Sequence, residues 1–528
     1  MIKTFAAIDV GSYEIGMKIF EISKKGMKEI DYVRHRIELG SDIYQWGKLS
    51  FEKMDELCDV LGRFTEIMKT YRTDSYRAYG TSAIREAENT LIIQEQMKIK
   101  TGLLLEVLSN AEQRYLIYKS VASKGEAFTH FIEKGTAIVD VGGGSIQVSL
   151  FDKDKLFATQ NMRIGILRIR EMLRNLQPKS SHYERLIEEL VDHELHMFKK
   201  LYLKDCNIKN IIVIDDYISY IMGKLSEGFS LDTITSEQYM KFLNILREKS
   251  PEQVAKDMGI PEENSSLLVP SAICYKRMIE VMDAETLWAP GVTLSDGMAY
   301  DYAEKNKIFK VPHNFENDII ACAKNISKRY MGSKSTGTAL ETTALSIFDS
   351  MKKVHGLGKR ERLLLQIASL LHDCGKYISF TDVEVCSYNI IMSTEIIGLS
   401  QKEREIIANV VKYNVQYFLS FSELSIGSMM DERDYIVIAK LAAILRVANG
   451  LDRGHKQKFK KLKASVKEKQ LVLSLDSEMD FTLEKGLFQE KVNFFEEVFS
   501  LKPVIKQKRI YGSSINVERV EDEGRDEF

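Results

Sequence analysis

The chain offers no cysteine pattern to build on. Its six cysteines, Cys58, Cys206, Cys274, Cys322, Cys374 and Cys386, include no C-x-x-C pair and no regular spacing. Reduced, mostly core thiols are therefore expected. No apolar run approaches the length of about 18 residues that suggests a membrane span. The N-terminus carries Lys3 and only a short apolar stretch before Asp9, unlike a signal peptide. An excess of one charge is missing as well: 74 basic against 76 acidic residues leave a net charge of −2, without the global basic footprint of a nucleic-acid binder. What remains is 528 residues, 44% apolar and 28% charged, an ordinary globular composition long enough for several domains. A soluble cytoplasmic protein with no membrane and no nucleic-acid partner is the expectation.

The informative stretch is Val139-Asp140-Val141-Gly142-Gly143-Gly144-Ser145. It lies between a buried-strand run (Ala137, Ile138, Val139) and an alternating run (Ile146, Val148, Leu150). Three successive glycines let the backbone approach a ligand and converge several N–H groups on one point, which suits a phosphate. Asp140 faces the same point and is placed to hold a cation or a water. A tight turn explains such a run equally well, but the pattern occurs twice. Ile8-Asp9-Val10-Gly11-Ser12 aligns without a gap to Val139-Asp140-Val141-Gly142-Gly143 at a constant offset of 131, and Ile15, Met17, Ile19 and Phe20 fall on Ile146, Val148, Leu150 and Phe151. An internal repeat implies two homologous lobes facing each other across a cleft, with phosphates held between their glycine turns.

In chain order, residues 1–33 read as strands with turns at Gly11 and at Lys24-Lys25-Gly26. Leu49 to Lys69 has helical spacing. Tyr76 to Tyr79 is a strand ending at Gly80-Thr81-Ser82-Ala83-Ile84-Arg85, where Ser82 is positioned to cap a helix and bind an anion beside Arg85. Leu103 to Leu108 is a strand, then Ser109-Asn110-Ala111-Glu112 opens a helix through Tyr118. The second lobe continues with a hairpin turn at Asp152–Leu156, a helical region at 166–204 interrupted near Pro178, a strand at Ile211–Ile214 ending in Asp215-Asp216, and helices to about 305. Lys307–Pro312 is a boundary. Beyond it, continuous amphipathic helix runs from 315 to 451 with a polar break at Ser333–Thr338. A Lys-rich stretch (456–469), a hairpin of Leu462–Val466 and Leu471–Leu475, a helix at 487–499 and an acidic, disordered tail at 518–528 complete the reading. The resulting segments are 1–121, 122–306, 312–505 and 506–528.

Five motifs in order and spacing resemble the exopolyphosphatase / guanosine pentaphosphate phosphohydrolase (Ppx/GppA) family. They are Asp9-Val10-Gly11-Ser12, Gly80-Thr81-Ser82-Ala83-Ile84-Arg85, Ser109-x-x-Glu112, Asp140-Val141-Gly142-Gly143-Gly144-Ser145 and Arg163-x-Gly165-x-x-Arg168. Leu370-Leu371-His372-Asp373-Cys374-Gly375-Lys376 and the run from Leu445 to Arg453 resemble the HD-type helical domain that many members carry. The resemblance, over about 1–475, implies a duplicated actin/Hsp70/sugar-kinase-like (ribonuclease H-like) two-lobed α/β fold, then an all-α HD-like domain with a small β element. It implies removal of a terminal phosphate from polyphosphate or a guanosine 5′-polyphosphate such as pppGpp. Glu112 would be the catalytic base. Gly11, Ser12, Ser82, Arg85, Gly142, Gly143, Gly144 and Ser145 would bind phosphate, and Asp9 and Asp140 would hold Mg²⁺. The family's habit suggests a homodimer.

The departures from the family pattern bear on rate and substrate. Tyr13 and Glu14 stand where small polar residues are usual, and Ile146-Gln147 replaces a Thr-Glu pair, removing a carboxylate. Asp215-Asp216 replaces a glycine turn, and Asn264-Ser265-Ser266-Leu267 lacks the family's arginine. These changes favour, as the alternative, a catalytically weak regulatory protein that binds polyphosphate or (p)ppGpp. An ATP-using kinase or chaperone of the same superfamily is the weaker third reading. The HD remnant keeps His372, Asp373 and Asp452, but Thr336-Gly337-Thr338-Ala339 stands where the first histidine belongs, His355 lies past the helix end, and Cys386 and Asn414 replace further histidines. A structural or ligand-channel role is expected there. Lys458, Lys460 and Lys461, just after Asp452-Arg453, form a candidate polyphosphate patch or a solvated hairpin edge.

Overall fold

The computed structural model describes residues 2–508 apart from 175, 177–182, 205, 216–217, 220–221, 223–232, 259–261, 429 and 478. The expectations for Pro178, Asp216 and the acidic tail fall outside the described residues. So do the side chains of Asn264, Ser265 and Ser266. The chain divides into two compact units, Met1–Asn325 with Thr394–Gln401, and Ile326–Ser393 with Lys402–Phe528.

The first unit is built on two sheets with one topology. β1 (Lys3–Val10), β2 (Glu14–Ser23), β3 (Gly26–Arg36), β4 (Ser75–Gly80) and β5 (Leu105–Val107) stand in the order 3-2-1-4-5. β6 (Thr136–Val141), β7 (Ile146–Asp152), β8 (Lys155–Met162), β9 (Asn210–Ile214), β10 (Thr233–Thr235) and β11 (Thr286–Trp288) stand in the order 10-11-9-6-7-8. In each sheet the first strand pairs antiparallel with the second and parallel with the fourth, the crossover passing through helix. Both strands of each hairpin are buried on both faces, which is why Ala6, Ile8, Val10, Ile15 and Met17, and their counterparts Ala137, Val139, Val141, Ile146 and Val148, form dense apolar cores.

The sequence repeat is reproduced bond for bond. Gly11 N–H donates to the Glu14 carbonyl (3.1 Å) and Gly142 N–H to that of Ser145 (3.0 Å). A helix start then docks on each turn. Gly40 N–H donates to the Ser12 carbonyl (2.7 Å), and Leu167 N–H to the carbonyl of Gly143 (2.9 Å), the residue equivalent to Ser12. The lobes are joined by two crossing helices, Asn110–Ala122 and Leu294–Lys305. Gly297 permits that crossing, since a Cβ there would stand 1.9 Å from the Leu116 carbonyl oxygen. Buried Lys119 pairs with Asp301 (2.6 Å) and Glu304, and buried Lys18 with Asp296 (2.8 Å).

The second unit is helical around Glu432–Gly450, buried for most of its length from Val437 on, with helices Lys334–Ser350, Lys359–Leu371, Val383–Ser393 and Gln401–Lys412 among its neighbours in sequence. The expected continuous helix is instead a series of short ones, with breaks at Gly356 and Gly398 and a short 3-10 helix at Cys374–Tyr377. The expected polar break lies mostly inside a helix, because Ser333 caps Lys334–Ser350 through Thr336 N–H. The hairpin β12 (Lys461–Lys467) and β13 (Gln470–Asp476) gains an unexpected third strand, β14 (Lys502–Lys508), parallel to β13 after a helix at Thr482–Phe499. No helix among the described residues is long and apolar enough to cross a membrane.

Candidate active site

The two glycine turns line one cavity of about 250 Å³ together with Asp9, Asp140 and Ser82. Asp9 and Asp140 are the penultimate residues of β1 and β6, so the repeat delivers one carboxylate from each lobe. Glu14 and Asp215 bring further carboxylates, and no Lys or Arg lines the cavity among the described residues. Asp215 is committed to local structure: Oδ1 accepts from Ile218 N–H (2.8 Å) and Oδ2 from Ser271 Oγ (2.7 Å).

Such a cavity repels a bare polyphosphate and fits a divalent cation that neutralises it. The donors are hard oxygens, as Mg²⁺ prefers, and Mg²⁺ is commonly held by one or two carboxylates plus waters and substrate phosphates. Gln147 adds an independent sign. It is 3% exposed and lines the cavity opposite Asp140 in the β6–β7 register, and its Oε1 has no hydrogen-bond partner. A buried amide oxygen left unpaired is costly unless something binds it. The residues present therefore fit the group. Asp9, Asp140 and Gln147 are the ones placed to face it. No cluster of three His, Cys, Asp or Glu capable of holding a metal by protein ligands alone occurs among the described residues.

Glu112 stands in the first turn of helix Asn110–Ala122 and does not line the cavity, whereas its neighbour Gln113 does. Its Oε2 accepts from Ser109 N–H (3.0 Å) and Ser109 Oγ (2.7 Å), while Glu112 N–H donates to Ser109 Oγ (3.2 Å), a capping box. One carboxylate oxygen is thus used for orientation. A remote segment clamps the same helix: Glu395 accepts from Asn110 Nδ2 (2.9 Å) and from buried Arg114. Arg85 also lies outside the cavity lining. Its Nη1 donates to the Leu108 carbonyl (2.6 Å) and Gln113 Oε1 (3.3 Å), and burial lowers its pKa from the ordinary value. Ser82 does not cap a helix. The helix there, Ser82–Glu86, follows Thr81 without a side-chain cap, and the Ser82 hydroxyl is used elsewhere.

It is used by Tyr44, a residue no motif singled out. The Tyr44 hydroxyl is within 2.8 Å of Ser12 Oγ and 3.0 Å of Ser82 Oγ, so one phenol joins two of the expected phosphate ligands. A Cβ on Gly144 would lie 2.0 Å from that hydroxyl, which explains the third glycine. The Arg168 guanidinium sits 4.2 Å from the Tyr44 ring centroid, donates to the Gly144 carbonyl (3.0 Å) and pairs with Glu86 (2.8 Å). Arg163 also reaches Glu86 (2.7 Å), and Arg170 reaches Glu38 (2.6 Å). Burial works against ionisation of Glu86 and Glu38, but the arginine hydrogen bonds outweigh it and hold both carboxyls below their ordinary value. The arginines of the Arg163–Arg168 motif therefore fasten lobe to lobe beside the cavity.

In the second unit, His372 is 8% exposed. Its Nδ1 donates to the Ser369 carbonyl (2.9 Å), and its Nε2 is buried without a hydrogen-bond partner. Asp373 is buried beside it, whereas Asp452 accepts from Gln457 N–H (2.9 Å) and lines a different cavity. His355 belongs to the core, Nε2 donating to the Phe348 carbonyl (2.9 Å) and Nδ1 accepting from Leu357 N–H (2.9 Å). The lysine patch needs a correction. Lys458 is bound to Glu484 (2.7 Å), with side-chain exposures of 13% and 0%, so it is a structural pair and no part of a free surface. Lys460 and Lys461 are exposed.

Comparison with known proteins gives one consistent outcome. A model of the Ppx/GppA phosphatase family matches residues 18–306, more than half of the chain, and a model of Ppx/GppA phosphatase domain III matches 320–493. A guanosine-5′-triphosphate,3′-diphosphate pyrophosphatase of Photobacterium profundum is 21% identical over 478 residues, covering 89% of this chain and 91% of its own. One from Vibrio cholerae is 20% identical over 484 residues, covering 90% and 92%. The crystal structure of an exopolyphosphatase from Cytophaga hutchinsonii superposes with a TM-score of 0.52 at 17% identity, covering 58% of this chain and all of that one, a likeness of fold.

Proposed function

The chain belongs to the Ppx/GppA phosphatase family, and from that premise we propose that it is a phosphohydrolase removing the terminal phosphate of inorganic polyphosphate or of a guanosine 5′-polyphosphate, pppGpp, with Mg²⁺. One observation carries the reading: two equivalent glycine turns and two equivalent aspartates, one set from each lobe, face a single cavity whose lining, among the described residues, holds no basic side chain. Phosphoanhydride hydrolysis asks for little covalent chemistry. It needs charge neutralised, a water held in line and a base for the water's proton.

The residues divide those tasks. The N–H groups of Ser12 and of Gly143–Ser145, unlike those of Gly11 and Gly142 that close the turns, bind the non-bridging oxygens of the terminal phosphate. Asp9, Asp140 and Gln147 face the side on which Mg²⁺ would sit, and when bound that ion offsets the phosphate charge the lining itself does not neutralise. Glu112, its rotamer set by Ser109, takes the proton from the attacking water through Oε1. The new P–O bond forms as the bond to the bridging oxygen breaks, giving inorganic phosphate and a chain one phosphate shorter. Gln113, anchored by Arg85, orders the water between Glu112 and the cavity.

The second reading is a binding protein with weak turnover. Gln147 in place of a carboxylate and Glu112 outside the lining favour it. Phosphate release from long-chain polyphosphate, pppGpp and ATP, measured side by side across a Mg²⁺ titration, separates the two. The enzyme turns over polyphosphate or pppGpp and spares ATP. Tight binding without release of phosphate establishes the binding protein instead.

A further inference from the structure

A second, larger cavity lies within the second unit and takes no part in the chemistry above. It measures about 980 Å³ and opens between helix Lys334–Ser350, the end of helix Glu432–Gly450 and the start of β12. Neither His372 nor Asp373 lines it, whereas Asp452, Thr336, Thr338 and Ala339 do. Its walls differ in character. Along one, Ser335, Thr338, Thr342 and Ser346 recur every three or four residues of the helix, with buried Thr343 beside them. Thr342 Oγ1 bonds back to the Thr338 carbonyl (2.8 Å), as helical threonines commonly do. The hydroxyls of Thr338, Thr343 and Ser346 have no protein partner among the described residues. Thr343 is 4% exposed as a residue and lines the cavity.

The rim is cationic. Lys334, Lys460 and Lys461 line the cavity and have no carboxylate partner among the described residues, unlike neighbouring Lys458. The one acidic lining residue, Asp452, is turned to Gln457 N–H. Leu340, Phe459 and Leu462 supply apolar surface, and Asn449, His455 and Gln457 further polar groups. A volume at the upper end of the range for small-molecule sites, an apolar wall, unsatisfied hydroxyls and unpaired ammonium groups describe a ligand with a ring at one end and phosphates at the other. We propose that this cavity is a second site that binds a nucleoside polyphosphate, its phosphates on Lys334, Lys460 and Lys461, its ribose hydroxyls on Thr343 and Thr338, and its base against Phe459. The site is independent of catalysis at the cleft.

The test uses the full chain carrying Glu112→Gln, so that nucleotide is not consumed, and measures GTP binding by calorimetry. Photo-crosslinking with 8-azido-GTP locates the label by peptide mapping. Labelled peptides from within 334–346 and 448–462 are expected. Thr343→Val and Lys460→Gln/Lys461→Gln should each weaken this class of binding about tenfold, while phosphate release from pppGpp, which is too short to reach a surface patch, stays unchanged by the same substitutions in the otherwise native chain. Calorimetry with tripolyphosphate and with guanosine separates the two halves of the ligand, and each alone should bind more weakly than GTP. The proposal is overturned if labelling is confined to cleft peptides, if neither variant changes GTP binding while both keep the native melting temperature, or if tripolyphosphate matches GTP, which would leave a polyanion surface only. Because the label reports binding and not turnover, an inactive cleft leaves the outcome readable.

Discussion

Ser109→Ala isolates what the capping box does for Glu112. The substitution removes two of the three bonds that tie these residues, the Ser109 Oγ contacts to Oε2 (2.7 Å) and from Glu112 N–H (3.2 Å), and keeps Ser109 N–H to Oε2 (3.0 Å). Loss of an N-cap costs about 1 kcal/mol. Part of a charge-assisted bond, about 1.5–3 kcal/mol in full, goes with it. Because the pair is half-buried, the total should be about 1–2 kcal/mol, read as a melting temperature lower by a few degrees. The catalytic effect is separate. A glutamate freed from its cap regains rotamer entropy worth up to about 1.5–2 kcal/mol, which must be lost again at each turnover. At about 1.4 kcal/mol per decade, kcat should fall about tenfold. KM should hold, since neither residue lines the cavity. Ser109→Thr keeps a capping hydroxyl and should restore both readings. A Ser109→Ala protein with the expected loss of stability but native kcat would show that the capping box serves the helix alone.

The other expectations are of the same kind. Asp9→Asn and Asp140→Asn should each raise the Mg²⁺ concentration for half-maximal phosphate release and lower turnover; a response from only one would mean the lobes contribute unequally. Tyr44→Phe frees Ser12 and Ser82 and should lower KM several-fold at a stability cost of about 1–2 kcal/mol for two hydrogen bonds; a rise in KM would show that the phenol itself meets the phosphate. Glu86 and Glu38 have folded pKa values below the ordinary 4.5, so their contribution is complete above that value and is lost as pH falls through the depressed ones. The melting temperature should therefore drop as pH falls below about 4.5, and Glu86→Gln should flatten that slope.

The sequence disclosed the parts of this structure that are local. The Asp-x-Gly repeat was legible because each turn is closed by its own backbone bond, Gly11 to Glu14 and Gly142 to Ser145. The long-range parts were not. Tyr44 sits in a helix without a motif and acquires meaning only where the chain folds Ser12, Ser82 and Gly144 around it. Glu395 reaches Arg114 across 281 residues. Lys458 looked like part of a cationic run because buried Glu484, its partner, lies 26 residues on in a helix whose pattern reveals nothing of the pairing. The third strand, Lys502–Lys508, shows no strict alternation and is fixed by a parallel partner that sequence proximity cannot suggest.

The account rests on Glu112 as the base at a phosphoanhydride-cleaving cleft, and one paired measurement tests it. Phosphate release and equilibrium binding are measured on the same preparations of native protein and Glu112→Gln, with pppGpp and long-chain polyphosphate in saturating Mg²⁺. The account predicts release by the native protein from at least one of the two, a loss of about 10²–10⁴-fold in the variant, and binding within a few-fold of native. Release by Glu112→Gln within a few-fold of native, or no release by the native protein from either substrate despite tight binding, would contradict it.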